Sequence, residues 1–173
     1  MEVRKATKND IPAIEEIYSD IHTEEENGNV TIGWVRDVYP TRKTAEASLK
    51  RGDLFVQIEN GEIVGTAIIN QQQVDVYADG KWNYDVPDEK VMVLHTLVIL
   101  PKASRKGYGR AFVKFYEEFA KEQGCECLRM DTNERNVRAR AMYKKLGYEE
   151  IGIVPCVFNG IEGVNLVLLE KRI

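Results

Sequence analysis

The stretch best equipped for chemistry is Leu97-Val98-Ile99-Leu100-Pro101, followed by Lys102-Ala103-Ser104-Arg105-Lys106-Gly107-Tyr108-Gly109-Arg110. An apolar strand that enters a Gly-x-Gly turn and then a helix leaves several backbone N–H groups without acceptors. They sit at the positive end of the helix dipole, an arrangement that suits phosphate oxygens. A Gly-x-Gly pair alone is also an ordinary tight turn; Arg105, Lys106 and Arg110 beside it shift the reading toward an anion. The dinucleotide fingerprint is absent, because Phe112 stands where its third glycine belongs, and no Walker pattern occurs. A second basic group, Arg135, Arg138, Arg140, Lys144 and Lys145, reads equally as a solvated helix face.

The elements that must position this turn follow from periodicity. Residues 2–6 form a short strand, and Thr7-Lys8-Asn9-Asp10 offers a cap for a helix whose Ile11, Ile14, Ile17, Tyr18 and Ile21 share one face. Two glycines and Pro40 break the pattern, giving a loop or short helix that carries Trp34 and Tyr39; a second helix runs from Thr41 to Gly52. Residues 54–58 and 62–70 flank Glu59-Asn60-Gly61 as an antiparallel hairpin. The polar stretch 71–88 leads to VMVLHTLVIL, a central strand covered on both faces. A Phe-rich helix follows from Lys106, then a strand at 125–131. Cys125, Cys127, Arg129 and Asp131 are expected on one face of that strand. A helix over about 134–146 stops at Gly147, and a terminal hairpin closes through the turn-rich loop Asn159-Gly160-Ile161-Glu162-Gly163. The expected order, β α α β β β α β α β β, predicts an α/β mixed sheet with helices on its faces.

Composition narrows the function classes. The chain has 173 residues with 43% hydrophobic and 30% charged residues, which predicts a single folded domain over 1–173. No basic-plus-apolar leader and no 18-residue apolar run occur, so no membrane partner is expected. Three cysteines without a C-x-x-C pair predict a reducing, cytoplasmic setting, and the two distant histidines suggest no metal site. The net charge of −4 is unevenly spread: residues 1–86 carry 16 acidic and 9 basic groups, residues 87–173 carry 12 and 15. A nucleic-acid binder would show a broad basic field, which the acidic first half opposes.

The turn Ser104-Arg105-Lys106-Gly107-Tyr108-Gly109 resembles the Gln/Arg-x-x-Gly-x-Gly/Ala signature of the GNAT superfamily of acyl-CoA-dependent N-acyltransferases, with Ser104 at the position of the long polar residue. Asn136-Val137-Arg138-Ala139-Arg140-Ala141-Met142-Tyr143-Lys144-Lys145-Leu146-Gly147-Tyr148 is similar to the second family element, Asn-x-x-Ala-x-x-x-Tyr-x-x-x-Gly-Phe/Tyr. The element order matches along the whole chain, which implies the GNAT fold, with a mostly antiparallel central sheet. The resemblance further implies acetyl-CoA as acyl donor and a primary amine of a small molecule or peptide as acceptor. Backbone groups of Leu97, Val98 and Ile99 would meet the pantetheine arm. Arg105, Lys106, Gly107, Tyr108, Gly109 and Arg110 would meet the pyrophosphate, and Asn136 would contact the donor. Tyr143 would protonate the departing thiolate.

The base stays open between Asp131, where some relatives carry a glutamate, His95, whose ordinary pKa lies near neutrality, Glu89, and water. Asp131 reads equally as a helix cap and His95 as a satisfied interior histidine. The acceptor pocket is expected from residues 32–39 and Phe158, with Glu24, Glu25 and Glu26 attracting a cationic amine. A non-catalytic acyl-CoA-binding sensor of the same fold is the alternative; Tyr143 argues for the enzyme. The apolar VNLVLLE segment, expected at an edge, permits a homodimer.

Overall fold

The computed structural model describes residues 2–173. Its frame is a seven-stranded sheet in the order β1-β2-β3-β4-β5-β7-β6. The strands are β1 (Glu2–Lys5), β2 (Leu54–Glu59), β3 (Glu62–Asn70), β4 (Val91–Ile99), β5 (Cys127–Asn133), β6 (Glu149–Phe158) and β7 (Ile161–Arg172). All neighbours pair antiparallel except β4 and β5. The helices are α1 (Ile11–Glu26), α2 (Arg42–Arg51), α3 (Tyr108–Glu122) and α4 (Val137–Lys145).

The two faces are covered differently. Ile11, Ile14, Ile17 and Tyr18 of α1 and Ala45 of α2 pack on Leu54, Val56, Ile68 and Val98. Phe112, Val113, Tyr116 and Ala120 of α3, with Tyr143 of α4, pack on Met92, Leu94, Leu128 and Met130 on the other face. A third cluster joins Tyr77, with Trp82 against it, to Val91, Val93, Cys127 and Leu168. The polar excursion of residues 71–90 is therefore a strap lying on the sheet, stiffened by single 3-10 turns at Asp75–Asp79 and Asp88–Lys90.

Alternation inverts within β4. Met92 and Leu94 face α3; a regular strand would send Thr96 and Val98 the same way, yet Val98 lies under α1 while Leu97 and Ile99 pack toward α3. The pairing of β3 with β4 shifts register between Thr66 and Ile68, opposite residues 95–98, and Thr96 adopts φ of 51°. One extra residue has been inserted, a β-bulge, and a β-branched side chain occupies a left-handed conformation. Pairing with β5 stops two residues before Thr96, at Leu94 with Met130.

Several boundaries differ from expectation. The fifth strand runs Cys127–Asn133 rather than 125–131, so Asp131 sits inside it and is no helix cap; Cys125 precedes the strand and packs on the α3 side, away from Cys127. The last helix starts at Val137, because Asn136 caps it by accepting the Ala139 N–H on its side-chain oxygen at 3.2 Å. The terminal turn is only Asn159-Gly160, since residues 161–163 already belong to β7. The VNLVLLE segment is interior, between β5 and β6, and β6 is the edge strand on that side of the sheet.

The strap is fastened by charge. Arg129 of β5 meets the fully buried Glu170 of β7 at 3.2 Å, donates to Gln73 Oε1 at 2.7 Å and to the Tyr84 carbonyl at 3.1 Å, and lies 4.1 Å from the Trp82 ring centre. Glu170 also accepts the Asn83 N–H at 2.8 Å. Removing one partner of a buried ion pair strands the other charge. Arg129→Met is therefore expected to cost about 3 kcal/mol in urea unfolding, with a smaller loss for the double variant Arg129→Met, Glu170→Met.

Candidate active site

The dominant cavity is a groove of about 1470 Å³ running along the side of the sheet where β4 and β5 part. Its walls come from the loop of residues 27–41, the strap, the second half of β4, the turn before α3, α4 and the tip of the β6–β7 hairpin.

At one end lies the turn before α3. Gly107 has φ of 86° and Arg105 φ of 65°. After the Ser104 N–H, which donates to Pro101, helical bonding resumes only when the Ala111 N–H reaches the Gly107 carbonyl; among the described residues the N–H groups of residues 105–110 meet no acceptor. Six donors thus open beside the positive end of a 15-residue helix, a cradle for a phosphate group. Ser104, Arg105, Gly107, Tyr108, Gly109 and Arg110 line the groove, whereas Lys106 is exposed outside its lining.

The splayed half of β4 forms the middle. The Leu100 N–H donates to Val64 of β3, so by the alternation of an antiparallel ladder Val98 also turns its polar groups to β3, while Leu97 and Ile99 turn theirs toward the gap. Val98 departs from the expectation for it: its side chain is buried under α1 and it does not line the groove. Asn136 lines the groove, but its side chain already caps α4 and donates to Thr132 Oγ1 at 3.3 Å.

Tyr143 and Asp131 face the same space. Burial, and secondarily the nearby Asp131 carboxylate, pushes the Tyr143 hydroxyl well above the ordinary phenol range, so it stays protonated at neutral pH. Asp131, half-buried in the wall, is raised to about 6 by burial, against which the Tyr77 hydroxyl, donating to Oδ2 at 2.7 Å, favours the charged form. His95 lines the groove as well, but burial lowers it to about 4. Its Nε2 donates to Asn70 Oδ1 at 3.0 Å, since the Asn70 amide is turned to donate to Asp53, itself held by Arg51. Glu89 is exposed on the strap and outside the groove.

The far end is aromatic. Trp34 and Tyr39 meet edge to face at 5.9 Å between ring centres, as do Tyr39 and Phe158 at 5.3 Å, and all three line the groove. The Tyr39 hydroxyl is hydrogen-bonded to Thr96 Oγ1, tying this wall to the bulge. The acidic run behaves differently from its expected role. Glu25 accepts the N–H groups of Ile32 and Gly33 at 2.8 and 3.0 Å, and Glu26 pairs with Arg36 at 2.7 Å. Both charges hold the loop in place, and only Glu24 of the three lines the groove. Sequence reasoning missed Thr96, Tyr77 and the Arg51-Asp53-Asn70 chain behind His95. The only available signal was the clustering of Tyr77, Trp82 and Tyr84 in an otherwise polar stretch.

Comparison with known proteins gives a consistent fold. The model of the acetyltransferase (GNAT) family matches residues 11–148. An uncharacterised N-acetyltransferase of Bacillus subtilis, YhfO, is 28% identical over 97 residues, covering 56% of this chain and 58% of the relative. The chain spans less than two thirds of the length of the curated relatives it matches. Among solved structures, a GNAT-family acetyltransferase from Streptococcus agalactiae superposes with a TM-score of 0.84 at 26% identity, covering 99% of this chain and 95% of that one. The yncA protein of Salmonella typhimurium, solved with its cofactor acetyl-CoA, gives a TM-score of 0.72 at 18% identity over 99% and 93% of the two chains.

The left-handed turn sets a test of the phosphate cradle. A Cβ at Gly107 would meet nothing within 4 Å, so its cost is conformational. Gly107→Ala is expected to lose about 1 kcal/mol in urea unfolding and to weaken the binding of inorganic pyrophosphate; binding equal to the parent's would show that the turn does not need its left-handed residue.

Proposed function

The chain belongs to the acetyltransferase (GNAT) family, and on that premise we propose that it transfers an acetyl group from acetyl-CoA to a primary amine by direct attack. The observation that carries this reading is a single groove in which an unpaired N–H cradle, free backbone on β4, a protonated tyrosine and a half-buried carboxylate follow one another. The residues present fit the donor: the turn at residues 105–110 suits its pyrophosphate, with Arg105 and Arg110 adding charge, and Leu97 and Ile99 offer backbone partners to an amide-bearing arm. When bound, the donor supplies an activated acyl thioester.

Asp131 is the proposed base. It is ionised above pH 6 and accepts the proton that the acceptor's ammonium must lose before its lone pair can attack the carbonyl carbon. His95 is the weaker candidate: it accepts protons only near pH 4, and its Nε2 is committed to Asn70. Tyr143, kept protonated by burial, gives its hydroxyl proton to the departing sulfur as the carbon–sulfur bond breaks, and the second proton of the attacking nitrogen, released as the amide forms, restores the phenol. The acceptor lies against Trp34, Tyr39 and Phe158, with Glu24 near the mouth. Aromatic faces suit an ammonium and the apolar carbons next to it.

Tyr143→Phe is expected to lower kcat by 10- to 100-fold, on the order of general acid catalysis, with acetyl-CoA binding by calorimetry retained; an unchanged kcat in a thiol-release assay over a panel of amines would reject the role. The pH profile separates the bases. A carboxylate that must be ionised makes kcat/KM fall as pH drops through about 6, so Asp131→Asn should abolish that limb and His95→Ala should leave it in place.

A further inference from the structure

Tyr77 is almost wholly buried, at 3% exposure, and its hydroxyl has one partner, Asp131 Oδ2 at 2.7 Å. A buried phenol that needed only satisfaction could use a backbone carbonyl, as Tyr116 does on Met92 at 2.6 Å. Tyr77 instead reaches from the strap across the third core cluster to a wall residue of the groove. Asp131 Oδ1 accepts no hydrogen bond among the described residues, so one carboxylate oxygen is fixed and the other is left to the groove.

The strap itself is built to hold this bond. Trp82 Nε1 donates to the Tyr77 carbonyl at 2.7 Å and the two rings lie 5.1 Å apart. Arg129 stacks on the outer ring, and its ion pair with Glu170 roots the assembly in β5 and β7. At Gly80 an added Cβ would come within 2.9 Å of both the Trp82 ring and Leu168, so the chain passes there with no room for a side chain.

We propose that Tyr77 is a positioning residue of the acyl-transfer site: held from behind by Trp82 and Arg129, its hydroxyl orients the Asp131 carboxylate and stabilises its proton-accepting form. The proposal rests on the assignment of Asp131 as base. The groups facing Asp131 from the other elements are Tyr143 of α4, Tyr39 of the 27–41 loop and Cys156 of β6, all held above their ordinary pKa by burial and uncharged at neutral pH. Arg129, on the same strand, is committed to Glu170. Burial drives Asp131 toward the neutral acid, and the Tyr77 O–H is the one hydrogen bond opposing it. Losing that donor therefore moves the protonation midpoint upward.

The test is a carboxyl carbon-13 NMR titration of aspartate-labelled protein without ligands, with Asp131→Asn assigning the resonance. A parent midpoint near 6 is expected, with that of Tyr77→Phe about one pH unit higher and the acid limb of kcat/KM moving with it. A folded Tyr77→Phe protein whose Asp131 midpoint stays at the parent value would overturn the proposal. An acid limb that survives in Asp131→Asn would instead remove the base assignment, whatever the midpoint does. If Tyr77→Phe fails to fold, the parent decides: the Tyr77 ring resonance beside the hydroxyl should titrate with the Asp131 midpoint, and a flat response through that range overturns the hold.

Discussion

A threonine held at φ of 51° in the middle of a strand is the constraint on which the site depends. Such a conformation costs on the order of 1–3 kcal/mol for a β-branched residue, and surrounding contacts must outweigh it. Val98 locked under α1, Leu97 and Ile99 packed toward α3, and the Tyr39 hydroxyl on Thr96 Oγ1 supply them. The inserted residue reverses which face each later side chain takes. The partnership with β5 ends two residues before it, at Leu94, where the sheet opens. Beyond that point the backbone of Leu97 and Ile99 is not paired with β5 and faces the gap beside the turn at residues 105–110. Thr96 also ties the gap to the aromatic wall, so the turn side of the groove and its aromatic end share one strained point.

Much of this was legible in the residues. The apolar spacing of α1 and α3, the Asn60-Gly61 turn and the stop at Gly147 encode local structure with little competition from tertiary contacts, and the element order emerged intact. The Gly-x-Gly turn with its flanking cations was readable for the same reason: its geometry is set within a few residues. Thr96 was not, because a threonine in a β-branched run looks like any other strand residue and its conformation is imposed by partners 57 residues away. Val98 was misread with it, since the reversal of faces is invisible to an alternation count. The strap was read as a polar excursion because its anchors, Arg129 and Glu170, lie in other elements. The interior place of β7 was likewise a matter of strand order, which an apolar run does not specify.

The charge asymmetry needs a similar refinement. The acidic first half suggested a field drawing in a cation, yet Glu25 and Glu26 are occupied with the loop that carries Trp34 and Tyr39. Asp53 is held by Arg51 and Asn70, and Asp10 by Arg4 and the Thr7 N–H. These four acid groups act as structural acceptors. The carboxylate that matters for the proposed chemistry, Asp131, lies in the more basic half.

The β6–β7 hairpin turns in two residues, and that tight tip delivers Phe158 to the Tyr39 ring. The tip and the 27–41 loop are separate in sequence from the turn at residues 105–110 and are not part of its cradle. Drift at the tip can reshape one end of the groove while the other keeps its form. A scaffold of this kind is evolvable by halves: a few replacements at a hairpin tip change the surface at one end of the groove without rebuilding the turn at residues 105–110 or the strained strand beside it.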